Sequence, residues 1–509
     1  MGAIMSMTFT PLRSPVRWRN RLGCLLGALA LGLPGLAHAA IDTLPEPVRS
    51  ALQKAGLPAG SMSALVVAAD GPAIERLRYR SEAAVNPASV MKLVTTYAAL
   101  DLLGPDYTWN TEFHTDGEVF EGVLRGNLYV RGGGDPKLVL ERLQEAFIRL
   151  QEKGVRVILG DMVLDQSAFD LPPHDPGAFD GEALRPYNAA PDALLVNFKS
   201  VVLHFTPDLR NRVAHVRSEP PLEGLAIDST VPLARLACGD WRGALRARFD
   251  DANRIRFEGQ FPQSCGERVW PVAYQDPASY AARAMEGMWR ATGGSITGRV
   301  RQGLTPPGTR LLHEAQSLPL SDIITDVNQW SNNVMAQQVF LTLGRLTPTQ
   351  VMTEGRLADR LTPVRTARFE HAREVVGAWW RRTLGIRHEA PVMENGAGLS
   401  RVERITPDGL GAMLRHAAVH PRGDQFVQSL SLAGVNGTAA RYARAPGSQA
   451  RGHAWLKTGT LRDVIGIAGY VQAVGGTRYA VIAFVNHEQA PAARPAIDAL
   501  IDWVAAQPN

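Results

Sequence analysis

The chain has 509 residues, 45% hydrophobic and 20% charged. That balance excludes a disordered or low-complexity protein, and the length exceeds one ordinary core, so two or three domains are expected. The formal charge of +5 falls to about +1 once Arg13, Arg17, Arg19 and Arg21 are set aside, because the first 40 residues contain no acid; no basic stripe with interleaved aromatics remains, and nucleic-acid binding has no support.

Residues 1–40 read as a secretory signal peptide. The four arginines form a basic head, Leu22 to Leu36 an apolar run, and Ala37-His38-Ala39 a small-x-small site cut after Ala39 or Ala40. The run is short for a membrane anchor, which needs about 20 residues. Cys24 has no apolar stretch before it and does not read as a lipid attachment site. No later segment is long and apolar enough to span a bilayer.

Residues 64–80 hold two apolar runs around Asp70-Gly71-Pro72 and predict a hairpin. Asn86-Pro87 then opens a helix, with Asn86 as N-cap, Pro87 at the first helical position and Gly104-Pro105 as the stop. Val130 to Pro136 is a glycine-rich loop before a helix of about 16 residues. It lacks the lysine and serine of a phosphate-binding loop and reads as an ordinary turn. Residues 205–270 are rich in arginine and short strand-like runs, and look like a small β-rich unit. They contain Cys238 and Cys265, the two cysteines that remain after the leader. In an exported protein such a pair is most simply a disulfide; two free buried thiols are the alternative. Pro306-Pro307-Gly308 marks the return to the first domain. Ala454–Thr460, Val464–Val471 and Tyr479–Val485 predict three successive strands, and residues 495–505 a closing amphipathic helix. Two strands at the start and three at the end predict one antiparallel sheet built from both ends of the chain, with inserted material between. There is no internal repeat.

Only six basic residues are lysines: Lys54, Lys92, Lys137, Lys153, Lys199 and Lys457. Arginine cannot give up its proton in a protein, whereas a lysine amine can be tuned into a base. Two of the scarce lysines sit in short polar signatures. Ser89 and Lys92 are three apart on a helix and share a face, so Lys92 can take the proton of Ser89. Ser89 falls in the first turn, where free N–H groups favour developing negative charge. Alone, this spacing is a weak signal. Ser331 and Asn333, within Trp330-Ser-Asn-Asn333, are placed for a proton relay and for binding a substrate amide if they sit at a helix turn; alone, they read equally as a surface polar cluster. Lys457-Thr458-Gly459-Thr460 lies on a strand, with Lys457 and Gly459 on one side and Thr458 and Thr460 on the other. Gly459 would let a substrate lie close along that strand, and Lys457 would attract a carboxylate. His416 and His420 have H-x-x-x-H spacing, but they lack the glutamate of the H-E-x-x-H zinc motif, so no metal or cofactor is implied.

In this order the three motifs resemble the combined signature of penicillin-binding proteins and serine β-lactamases. Pro87 to Leu93, Gly134-Asp-Pro136, Tyr187-Asn-Ala-Ala-Pro191 with Asn197-Phe198, and Gly434-Val-Asn-Gly-Thr438 are similar to the D-alanyl-D-alanine carboxypeptidase/endopeptidase family. These are the class C low-molecular-mass penicillin-binding proteins, and the similarity runs from about Leu44 to the C-terminus. One segment departs: the family usually has Asp-Gly-Ser-Gly-Leu-Ser, and here it is Asn395-Gly-Ala-Gly-Leu-Ser400. The 242-residue interval from Ser89 to Ser331 fits the family's two extra domains.

The resemblance implies an α+β fold. A β-lactamase/transpeptidase-like domain (41–110 and 305–509), with an antiparallel five-stranded sheet and flanking helices, carries an inserted domain (111–204 and 271–304). A β-rich domain (205–270) is nested in the insertion. It further implies a periplasmic serine carboxypeptidase and/or endopeptidase acting on peptidoglycan stem peptides and cross-links, inhibited covalently by β-lactams. Ser89, Lys92, Ser331, Asn333 and Lys457 would be catalytic, and Thr458, Gly459 and Thr460 would bind substrate, with the N–H groups of Ser89 and Thr460 as the oxyanion hole. Asp180 and Glu182 are candidates for meeting the free amine of a cross-link, or plain surface acids. A β-lactamase or esterase on this scaffold and a catalytically inactive wall-binding protein are the alternatives, and a homodimer stays open.

Overall fold

The structure is a computed structural model that describes residues 42–353 and 362–508; the leader read at 1–40 lies outside them. The two ends of the chain meet in one antiparallel sheet, in the order Glu75–Tyr79, Met62–Ala68, Arg478–Asn486, Val464–Gln472, Ala454–Leu461, Ser431–Leu432. The expected five strands are present. The sixth, Ser431–Leu432, pairs only with Leu456 and Trp455. It is too short to leave a periodic signal, and it covers one end of the lysine-bearing strand while leaving Lys457 to Leu461 as an open edge.

The long strands read as continuous apolar runs because both faces are covered. Leu65, Val67, Ala468, Tyr470, Ala480, Ile482 and Phe484 pack into a helical core. Met62, Ala64, Val66, Ile465, Ile467, Val481 and Ala483 point the other way, against the terminal helices Glu46–Lys54 and Arg494–Ala505. Alternation along each strand therefore assigns neighbouring residues to different cores. The Lys92–Leu103 helix is buried on nearly every side, as expected of a helix hydrophobic all round, and lies among Leu320–Trp330, Asn333–Gly344 and Phe369–Leu384.

Between the two halves lies a mixed sheet in the order Val300–Gln302, Met162–Asp165, Leu128–Gly132, Asn110–Thr115, Arg310–Gln316. Arg310–Gln316 pairs with Asn110–Thr115, Gln316 opposite Asn110. The chain therefore stays in this sheet past Pro306–Gly308, as far as Gln316. The β-rich unit has a five-stranded sheet spanning Ser200 to Ala273 and a smaller three-stranded one, somewhat wider than 205–270. Its Val201, Leu203 and Phe205 pack in the same cluster as Phe113, Phe147 and Trp289. Cys238 and Cys265 form a disulfide, Cα–Cα 4.8 Å.

The glycine-rich loop serves this junction. A Cβ at Gly132 would fall 2.2 Å from the Ala193 carbonyl oxygen, and one at Gly133 2.4 Å from that of Asn110. The helix after it, Leu140–Glu152, has 13 residues, and its Arg142 pairs at 2.5 Å with the buried Asp135.

Candidate active site

Ser89 sits not in the first α-helical turn but in a tight 3-10 turn, Ala88–Met91, that leads into the helix beginning at Lys92. Asn86 is not the helix cap expected: its Oδ1 accepts from the Ala88 N–H at 2.8 Å in a local turn, while the 3-10 turn starts after Pro87 and the α-helix after Met91, neither with a side-chain cap. Its other bonds are tertiary, to Asn486 (3.0 and 3.1 Å) and to the Ser400 carbonyl (2.9 Å). These hold Ala88 at a positive φ of 48°, a conformation that costs a residue with a Cβ roughly 1–2 kcal/mol. The strain sits immediately before the serine.

Lys92 is wholly buried. Its Nζ donates to Ser89 Oγ at 2.9 Å, to Asn333 Oδ1 at 2.7 Å, and to the Ala397 carbonyl. Three acceptors match the three donors of an ammonium group. Burial nevertheless pulls the amine down to about 7, against the opposing pull of Glu403. Asn333 starts the helix that follows Ser331, and its Nδ2 donates to the Tyr187 carbonyl at 3.3 Å.

Ser331 occupies the two-residue break between helices Leu320–Trp330 and Asn333–Gly344, in the left-handed region at φ 61°. Asn332 caps the second helix through the Met335 N–H at 3.1 Å. The break turns Ser331 toward the sheet, where Lys457 Nζ donates to its Oγ at 2.9 Å and to the Thr458 carbonyl at 2.8 Å. Lys457 is also wholly buried, and burial, then the charges of Lys92 and Arg441, hold its amine well below the ordinary range.

The strand places Lys457 and Gly459 on one side, as expected, but the glycine serves another purpose. A Cβ there would lie 2.6 Å from the Pro87 carbonyl oxygen and 3.2 Å from the Ala88 side chain. Gly459 admits the turn that carries Ser89. On the opposite side, Thr458 is buried and donates from Oγ1 to Thr438 Oγ1 at 2.9 Å, while Thr460 is exposed and accepts from Arg441 Nη2 at 3.3 Å. Thr438 and Arg441 belong to the short turn Gly437–Arg441.

The structure therefore brings all eight residues singled out in the sequence to one place. It adds Tyr187, Ala397, Thr438, Arg441 and Glu403, of which the segments Tyr187–Pro191 and Gly434–Thr438 carried a sequence signal. Asp180 and Glu182 lie near the site through Tyr187, but Asp180 is occupied: Tyr187 Oη and Asn188 Nδ2 each donate to it at 2.8 Å. A cavity of about 460 Å³ lined by Pro191, Asp192, Lys199 and Gln337 contains none of the eight. Among the described residues, no group of three or more His, Cys, Asp or Glu side chains is placed to hold a metal ion.

Known proteins bear the same stamp. The chain is 23% identical over 472 residues to the D-alanyl-D-alanine carboxypeptidase DacB of Haemophilus influenzae, covering 91% of this chain and 92% of that protein. It is 27% identical over 475 residues to the D-alanyl-D-alanine carboxypeptidase of an Actinomadura species, covering 89% and 82%. The crystal structure of penicillin binding protein 4 from Haemophilus influenzae superimposes with a TM-score of 0.69 at 22% identity, over 90% of this chain and 99% of that one. Residues 44–507 match the D-Ala-D-Ala carboxypeptidase 3 (S13) family, and the chain, a serine hydrolase, belongs to it.

Proposed function

We propose that the chain is a periplasmic serine-type D-Ala-D-Ala carboxypeptidase and endopeptidase that works on peptidoglycan peptides through an acyl-enzyme. The observation that carries the reading is the 2.9 Å contact of the Ser89 hydroxyl with a buried, desolvated Lys92 amine. Neutral Lys92 takes the Ser89 proton as Oγ attacks the carbonyl carbon of the scissile D-alanyl bond. The backbone N–H groups of Ser89 and Thr460 receive the oxyanion. The Ser331–Lys457 pair passes a proton to the leaving nitrogen as the C–N bond breaks. Asn333 holds the substrate amide, and the terminal carboxylate lies against Thr458, Thr460 and the Arg441 guanidinium along the open strand edge. Water then hydrolyses the ester and frees Ser89. β-Lactams follow the same first step and stop at the ester.

The test is incubation of the mature protein with a defined pentapeptide and a cross-linked muropeptide, followed by mass spectrometry. Release of D-alanine, cleavage of the cross-link, or both are expected; intact substrates alongside a folded protein would refute the reading.

A further inference from the structure

One buried acid behind the site takes no part in the steps above. Glu403 is wholly buried. Its Oε1 accepts from three consecutive backbone N–H groups, those of Glu394 at 2.9 Å, Asn395 at 3.0 Å and Gly396 at 3.1 Å. Its Oε2 is buried without a hydrogen-bond partner among the described residues. Burial raises the Glu403 carboxyl above its ordinary range, while the three N–H donors and the Lys92 charge pull it back toward the carboxylate. An unpaired oxygen on a buried carboxylate is costly unless a positive charge stands nearby.

The segment that Glu403 ties down is wrapped onto the catalytic turn. The Gly396 carbonyl accepts from Thr95 Oγ1 at 2.7 Å, and the next carbonyl, Ala397, accepts from Lys92 Nζ. A Cβ at Gly398 would fall 1.9 Å from the Ala88 carbonyl oxygen, so the loop lies directly on the backbone beside Ser89. Asn395 Oδ1 accepts from the Ala397 N–H at 2.9 Å and fixes the bend that aims this carbonyl at the amine.

We infer that Glu403 is a positioning residue for Lys92: it pins the loop that supplies one of the amine's three acceptors, and it is the buried counter-charge that lets the amine keep the proton taken from Ser89. The inference rests on the Ser89–Lys92 reading given above. The charges around the amine are Glu403 behind it and, across the cleft, Lys457 on its strand with Arg441 on the adjoining turn. Burial holds the Lys457 amine well below its ordinary range, and the Lys92 and Arg441 charges push it the same way. At Lys92, burial is offset only by the Glu403 charge. Without that charge Lys92 would be a weaker base, and a base is most effective when its pKa lies near the working pH.

The experiment is the pH profile of acylation by labelled penicillin, wild type against Glu403→Gln. The amide keeps an oxygen for the three N–H groups and removes the charge. The acid limb should move to lower pH by about one unit, as expected for loss of a nearby opposite charge, and the high-pH plateau should fall because the base is weaker. A purely structural tie lowers the plateau and leaves the limb in place; that outcome, or an unchanged profile, overturns the inference while the Ser89–Lys92 reading stands. If Glu403→Gln does not fold, Glu403→Asp decides. The shorter carboxylate keeps the charge, so its limb should stay at the wild-type pH above a reduced plateau, and a limb displaced downward overturns the inference. A folded wild type that shows no acylation at any pH removes the underlying reading, which is a separate result.

Discussion

Asn333 Oδ1 accepts a hydrogen bond from Lys92 Nζ at 2.7 Å, although 241 residues separate them in sequence. The bond joins the two helices that carry the serine motifs and orients the amide, whose Nδ2 then reaches the Tyr187 carbonyl of the inserted region. A single side chain thus ties Lys92 to a loop from another part of the chain. The consequences are testable.

Penicillin should attach once, at Ser89. Peptide mapping of a treated sample should place a single adduct on the peptide containing Ser89, and Ser89→Ala should abolish it. An adduct elsewhere would mean that the nucleophile is another residue.

The lysines should be distinguishable. In the proposed mechanism acylation needs neutral Lys92, whose amine is pulled down to about 7, so its rate should fall as pH drops below neutrality. The folded-state pKa is depressed, and between about 7 and the ordinary 10.5 the unfolded chain binds a proton that the folded chain does not. The contribution of Lys92 to stability should therefore rise with pH across that window. Lys92→Arg places a larger, permanently charged group where three acceptors already close around an amine; it should lose acylation by orders of magnitude and also lower the melting temperature. Lys92→Met removes the charge, and should fold while failing to acylate. Lys457→Arg preserves attraction for a carboxylate and should retain more activity than Lys92→Arg. The reverse order in acylation rates would sink Lys92 as the base.

Gly459→Ala should impair acylation far more than folding. Its Cβ must displace the Pro87–Ala88 backbone by several tenths of an ångström, which moves Ser89 relative to Lys92. A misplacement approaching 1 Å costs on the order of 100-fold in rate. Wild-type acylation by this variant would show that the turn yields without consequence.

The disulfide should matter for stability alone. It closes a loop of 28 residues, counted from Cys238 through Cys265, worth about 3–4 kcal/mol in the chain-entropy account. Replacing both cysteines with alanine should lower the denaturation midpoint and leave penicillin acylation unchanged. Free thiols in unfolded, unreduced wild type would refute the bond.

Asp180 and Glu182 should separate. Asp180 holds Tyr187 and Asn188, and Tyr187 touches Asn333, so Asp180→Asn should slow both penicillin acylation and muropeptide cleavage. Glu182 is exposed, and its carboxylate pairs with Arg185 at 3.2 Å. Glu182→Gln should spare penicillin acylation and, if it meets the free amine of a cross-link, weaken muropeptide cleavage alone. Parallel losses in both variants would argue that this loop acts purely by its shape.

Much of this was open to reading before any coordinates. The local patterns are strong where neighbours in sequence decide. The last three strands lie within a residue or two of their expected ends, because continuous apolar runs bounded by Asp463 and Gly475-Gly476 leave little choice. Lysine among so many arginines, three residues after a serine, points to a chemistry that arginine cannot perform. The sheet assembled from both chain ends follows from counting strands at each end.

Other features depend on atoms that the chain brings together from far away. Nothing near Ala88 announces its positive φ; Asn486 and Ser400 impose it. The purpose of Gly459 is set by the Pro87 carbonyl, which lies hundreds of residues earlier. The strand after Gly308 has no partner until Asn110–Thr115 is beside it. Glu403, a plain acid in a polar stretch, is buried and tied down only when three N–H groups converge on its Oε1. Sequence by itself determines which side chains have the chemistry, because that resides in each residue type. Which proton each one holds is decided by burial and by neighbouring charge, and those exist only in the folded structure.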